Sequence, residues 1–185
     1  DVGAAEYEEV DRITDPGGAV ENFGWPCYEG EPRQVNLSGF DLCRDLYADD
    51  GAVTAPWFSY AHFEPVTADD NCATGSSSTA GIGFYEGGSY PDLYDGSMIL
   101  ADYSRNCIWA VPPTGDPVTL IDGAHGPVDV QIGPGGDIYY VDLAGRFPLS
   151  DLQVQELREH QVLYDRVGDG ELLHVYTDVL STGFY

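Results

Sequence analysis

Lysine is absent from this 185-residue sequence; all seven basic residues are arginines, set against 32 acids for a net charge of −25. Such a surface repels phosphate backbones and excludes nucleic acid as a ligand. No apolar run approaches the roughly 18 residues a membrane-spanning helix needs. Methionine occurs once, at Met98, and a chain starting at Asp1 reads as a mature or excised segment with no signal peptide in view. No C-x-x-C pair is present, which argues against a zinc ribbon. There is no phosphate loop, no H-E-x-x-H and no dinucleotide fingerprint, since GIGFYEGG has the wrong glycine spacing. Ser76-Ser77-Ser78 lacks the elbow of a hydrolase nucleophile.

The acidity itself has two readings. It is a solubility device for a salty or extracellular setting, or it binds multivalent cations, because carboxylate oxygens suit Ca²⁺. Four cysteines, Cys27, Cys43, Cys72 and Cys107, allow three connectivities. The simplest is sequential, Cys27–Cys43 and Cys72–Cys107, in an oxidising compartment. The sequon Asn36-Leu37-Ser38 is compatible with export. The expected location is secreted or extracellular.

One stretch stands out. NFGWPCYEG, residues 22 to 30, holds three aromatics, two glycines, a proline, a cysteine and an acid, a mixture that no plain helix or strand requires. It lies in a loop-rich region, residues 14 to 55, and long irregular stretches in compact domains are usually functional or stapled. Before it, DVGAAEYEEVDRI reads as a glycine turn and a short strand. From Pro56 the pattern is β: PWFSYAH, GIGFY, SMILADY, CIWAV, PVTLI, PVDVQI and DIYYVD, separated by turn chemistry. GPGG joins the last two as a hairpin. SMILADY, CIWAV and PVTLI read as three meandering strands of one propeller blade, and PVDVQI and DIYYVD as the first two of the next. SDLQVQELREHQVL, from Ser150, predicts a helix with a serine cap, and ELLHVYTDVL fits strand or helix.

Among titratable groups, His62 is the best general-base candidate of four scattered histidines, because it ends an aromatic strand and precedes a loop. Glu8 and Glu9 would point to opposite faces of a strand. One of them could reach a cation with the turn carbonyls of Gly3 and Ala4, or both rest on a solvated edge. Asp129 and Asp142 line a channel or hold neighbouring turns. Trp25, Tyr28, Trp57 and Tyr60 would serve sugar stacking or a core.

The ordered runs DVG…YEEVDRI…NFGWPCYEG, YAH, CATGSSSTAGIGFYEGGSYPDLYDGSMILADYSRNCIWAV and GPVDVQIGPGGDIYYVDL resemble the glucose/sorbosone dehydrogenase family, especially its secreted bacterial members. The likeness covers residues 1 to about 145; residues 146–185 form a divergent tail, a helix plus a strand. The resemblance implies an all-β fold, part of a six-bladed β-propeller of which this chain supplies about three blades, with a short C-terminal helix. It implies oxidation of an aldose at its anomeric carbon, with pyrroloquinoline quinone (PQQ) as electron acceptor and Ca²⁺ as Lewis acid. Trp25 would pack between blades, and Cys27 would staple the loop. Gly3 and Glu9 match the family's calcium turn and acid, with Ala4 where proline is frequent. Arg105 keeps a basic position of the DY-x-R-N turn, and Asp129 is the acid of the PVD motif; both are expected on the cofactor. Gly126, Pro127 and Val128 stand where cofactor-binding members carry arginines. The family's catalytic histidine precedes the DVG motif. Three functions therefore compete: an incomplete PQQ-dependent sugar dehydrogenase, a carbohydrate- or calcium-binding propeller segment without turnover, and a structural piece closing a ring with further blades or a second chain.

Overall fold

The computed structural model describes residues 1–49, 51–68, 70–88 and 90–143, and the backbone of two further strands, 163–166 and 173–176. Among the described residues the fold is mostly strands, in several sheets, with one α-helix. The chain divides into two compact units: residues 1–66 with 73–79, and residues 67–72 with 80–185.

The first unit is built on a two-stranded antiparallel ribbon. β1 (Tyr7–Val10) pairs with β2 (Phe58–Ala61), with Glu8 opposite Tyr60 and Glu9 opposite Ser59. Between them runs the loop-rich region, and it is stapled: Cys27 and Cys43 form a disulfide. The loop contains a helix the sequence reading lacks, α1 (Asp41–Tyr47). Its seven residues have no side-chain cap, and their sole buried member is Cys43. A helix this short is marginal in water and depends on packing; here the disulfide ties it down.

The second unit holds two four-stranded sheets. In the first, β3 (Thr79–Phe84), β4 (Met98–Asp102), β5 (Cys107–Val111) and β6 (Val118–Ile121) lie in chain order. β4 and β5 are buried along their whole length, which explains why MILAD and CIWAV read as continuous apolar runs rather than alternating ones. The core gathers Tyr85, Ile99, Ile108, Val130, Ile138 and Tyr140, and β4 packs against β7 of the second sheet. The segment before β3 clamps this sheet by three different bonds. Cys72 is disulfide-bonded to Cys107, the Trp109 indole donates to Asp70 Oδ2 at 3.3 Å, and the Thr67 and Thr119 hydroxyls meet at 2.7 Å.

The second sheet has the order β7 (Pro127–Ile132), β8 (Ile138–Asp142), β10 (Leu173–Tyr176), β9 (Leu163–Arg166). β7 and β8 form the expected hairpin. The tail strands then depart from a simple meander: β10 inserts parallel to β8, with Leu173 opposite Tyr139, and β9 pairs antiparallel outside it. Parallel neighbours need a crossover of about a dozen residues or more, and the chain between β8 and β10, which includes β9, is long enough to supply one. LHVY thus resolves as strand. The helix expected over SDLQVQELREHQVL lies outside the described residues.

Candidate functional site

Four buried polar side chains organise the first unit: Glu8, Glu9, Glu29 and His62, each no more than 5% exposed. Their alternation on β1 sends Glu8 and Glu9 to opposite sides, as the period of two requires. Neither rests on a solvated edge.

Glu8 is a four-donor acceptor. Its Oε1 takes the Gly3 N–H at 3.2 Å and faces His62 Nε2 at 2.8 Å. Its Oε2 takes the N–H and the hydroxyl of Thr79 at 2.8 and 2.7 Å. A carboxylate so surrounded assigns the proton of that contact to His62 Nε2. The His62 main chain is also tied, donating to Glu6 O at 2.8 Å and accepting from Gly75. His62 is therefore a buried brace, not an open base: its only described ring contact is the carboxylate that it locks.

Glu29 sits in the opening stretch of the stapled loop and reaches back to the start of β1. Its Oε1 accepts from three consecutive backbone N–H groups, Ala5, Glu6 and Tyr7, at 2.8, 2.6 and 3.0 Å. Its Oε2 faces the Gln34 amide at 3.3 Å. Burial by itself would raise the Glu29 pKa, but these donors outweigh it and hold the carboxyl below its ordinary value. Gly3 lies at the tightest point: a methyl added there would meet Tyr7 O at 1.6 Å and Glu29 Oε1 at 2.7 Å.

Glu9 accepts from Gly30 N–H at 2.8 Å. Burial pushes its pKa up beyond what that bond recovers, and the charges of Asp11 and Glu29 add to the rise. Asp11 is raised too, chiefly by burial, and its Oδ1 has no hydrogen-bond partner among the described residues. The carboxylate bonded to the Gly3 turn is that of Glu8, while Glu9 is engaged with Gly30; one carboxylate with the carbonyls of Gly3 and Ala4 supplies three oxygen donors where Ca²⁺ takes about six to eight. No group of three or more metal-ligating side chains occurs among the described residues. These positions do not make a complete calcium shell by themselves.

The same loop forms a pocket of about 330 Å³. From Cys27 to Gln34 the chain folds back on itself: Gln34 N–H bonds to Cys27 O at 2.8 Å, and Tyr28 and Arg33 form an isolated bridge. Tyr28 and Tyr47 meet edge to face, their ring centroids 5.3 Å apart. The Arg33 guanidinium lies over the Tyr47 ring at 4.2 Å, and the Tyr47 hydroxyl donates to Cys27 O. Gly30, Glu31 and Asp49 complete the polar rim. Of the aromatics considered for stacking, Tyr60 is core and Trp57 is half-buried with Arg12 over its ring at 5.7 Å. Trp25 is 48% exposed.

In the second unit, Arg105 is 1% exposed in the β4–β5 turn. That turn is fixed by Asp102 Oδ1, which accepts the Arg105 N–H at 2.9 Å. Asn106, at φ 59°, accepts the Gly126 N–H at 2.8 Å and so holds the next loop. Asp142, buried at the end of β8, accepts the His125 N–H at 3.0 Å, the turn-holding role of the two considered for it. Asp129 is exposed on β7 and uses one oxygen on the Val130 N–H and the Gln131 amide. A buried guanidinium and a locally engaged carboxylate do not fit a planar quinone, and no step through PQQ follows from these residues.

The sequence reading missed Glu29 and α1. The signal for Glu29 was an acid beside glycine in an irregular, cysteine-stapled stretch; its backbone partners Ala5, Glu6 and Tyr7 lie more than 20 residues away.

No protein-family profile matches this chain, and no solved structure matches it. A stretch of 48 residues is 48% identical to a 3-dehydroshikimate dehydratase of Pseudomonas putida (strain KT2440). The match takes in 25% of this chain and 8% of that protein's length.

Proposed function

We propose that the chain is part of a secreted sugar dehydrogenase-like β-propeller whose complete form oxidises an aldose. The observation that carries the reading is the first sheet of the second unit, four strands in chain order with β4–β6 an antiparallel meander, which is the make-up of a propeller blade. The DY-x-R-N turn sits between its two central strands and is pinned on both sides by Asp102 and Asn106. The dehydratase likeness spans too little of either chain to bring a dehydration activity here.

On this reading the contacts to PQQ and the remaining oxygens around Ca²⁺ come from residues beyond those described, and the ring is completed by further blades in the same chain or in a second one. Two disulfides support an oxidising, extracellular setting, and among the described residues no helix is long and apolar enough to cross a membrane. The test is dye reduction with a panel of aldoses, PQQ and Ca²⁺, beside light scattering of the same samples. The 185-residue chain alone should reduce no dye; a longer protein or assembly containing it should. An assembly of full propeller mass, loaded with both cofactors, that oxidises no aldose would refute the enzyme reading.

A second reading, carbohydrate binding without turnover, is favoured by the pocket of the stapled loop, which is preformed within one unit. It predicts sugar affinity in the isolated chain.

A further inference from the structure

We infer that Asn36 is a modification site, the attachment point of an Asn-linked glycan. The inference rests on the secreted setting proposed above and goes beyond the reaction proposed there. An Asn-x-Ser/Thr triplet is by itself a weak signal, and the surroundings of Asn36 supply what the triplet lacks.

The chain has four asparagines, Asn22, Asn36, Asn71 and Asn106. Three of them use their side chains to hold the fold. Asn22 Oδ1 accepts the Gly24 N–H at 3.0 Å, Asn71 Nδ2 donates to Asp122 Oδ2 at 2.7 Å, and Asn106 Oδ1 accepts the Gly126 N–H at 2.8 Å. Asn36 is exposed, and its side chain makes no hydrogen bond among the described residues. It is also the one asparagine that heads an Asn-x-Ser/Thr triplet. A carboxamide that braces a turn is withheld from reaction, and this one is not.

The backbone around Asn36 is turn throughout residues 35–39, the surface context in which a bulky substituent meets least. The turn is held without the Asn36 side chain. Gln34 Oε1 accepts the Leu37 N–H at 2.8 Å, the Ser38 hydroxyl donates to Val35 O at 3.0 Å, and the Phe40 N–H bonds to Leu37 O at 3.1 Å. Its base is fixed, because Gln34 is buried and the Cys27–Cys43 disulfide closes the loop. Its apex is open: a methyl built on Gly39 would meet no atom within 4 Å. Val35, Phe40 and Leu42 are each more than half exposed. A glycan on Asn36 would screen these apolar neighbours from other chains.

The transfer takes a lipid-linked oligosaccharide phosphate or pyrophosphate as donor and a membrane-bound transferase as catalyst. Asn36 Nδ2 bonds to C1 of the first sugar, the C1–O bond to phosphate breaks, and the lipid phosphate or pyrophosphate leaves. One amide proton passes to a base of the transferase, and nothing is oxidised or reduced. The Ser38 hydroxyl, two residues on, is the group that such a transferase reads.

Tryptic mapping by mass spectrometry of the protein, purified from the medium of the cells that naturally produce it, tests the site. Cleavage after Arg33 and Arg44 isolates residues 34–44, with Asn36 as the sole asparagine. Most of that peptide is expected to carry hexose or N-acetylhexosamine increments that fragmentation places on Asn36. The modification should vanish in Asn36→Gln and in Ser38→Ala and persist in Ser38→Thr, which keeps the hydroxyl. Protein in the medium with both disulfides formed and a bare peptide would overturn the site and leave the secreted setting standing. Protein kept inside the cell with its cysteines reduced would overturn both. Sugar mapped to Ser38, or retained on the peptide in Asn36→Gln, would overturn the attachment through asparagine.

Discussion

Truncating Glu29 to alanine removes one acceptor oxygen from three neighbouring backbone donors and another from Gln34. A hydrogen bond to a charged group contributes about 1.5–3 kcal/mol net, and an unsatisfied buried donor costs about 1–3 kcal/mol. The four contacts share one carboxylate and are not additive, and Ala5 is exposed enough to admit water. The expected loss is therefore about 3 kcal/mol rather than the sum of four bonds. Glu29→Gln keeps an acceptor for the three N–H groups but turns an amide towards Gln34, whose own Oε1 is engaged by the Leu37 N–H; about 1–2 kcal/mol is expected. Urea unfolding followed by near-ultraviolet circular dichroism reads both. The pH dependence separates charge from shape. Glu29 has a folded pKa below its ordinary 4.5, so its contribution is present above that value and is lost as pH falls through the folded pKa. The gap between wild type and Glu29→Gln should accordingly narrow on acidification. A Glu29→Ala chain within about 0.5 kcal/mol of wild type, as for an ordinary surface change, would refute the cradle as a stabilising element.

Glu9 should behave in the opposite sense. Its pKa is raised above 4.5, so the folded state holds its proton longer, and stability falls as pH rises from the ordinary value through the folded one; Glu9→Gln should gain on wild type over that interval in the same assay. Gly3→Ala places a methyl 1.6 Å from Tyr7 O, and a destabilisation above about 3 kcal/mol is expected by thermal melting. Replacing Cys27 and Cys43 together by serine opens a loop with a sequence separation of 16, costing about 3 kcal/mol on the chain-entropy account, and should also abolish any sugar titration. Trp109→Phe keeps the buried ring but loses the bond to Asp70, for about 1 kcal/mol.

The sequence by itself determined the all-β character and the places of β2 to β8, because each is a short apolar or aromatic run bounded by glycine, proline or aspartate, a local property. It also set the opposite facing of Glu8 and Glu9, which follows from the pleat alone. The tertiary structure decided what those faces meet. Glu8 finds His62 and Thr79, 54 and 71 positions away, so a histidine that reads as an open base becomes a brace. Glu29 finds the turn before β1, and Arg105 goes inward. α1 was illegible because its seven residues lack a cap, and Cys43 is the only one buried. The parallel union of β10 with β8 was illegible for a related reason: pattern marks a strand, but only its long-range neighbours select the edge on which it lands. The pocket is the clearest case. Tyr28, Arg33 and Tyr47 lie apart along the chain, and a fold-back and a disulfide bring them to the lining of one pocket.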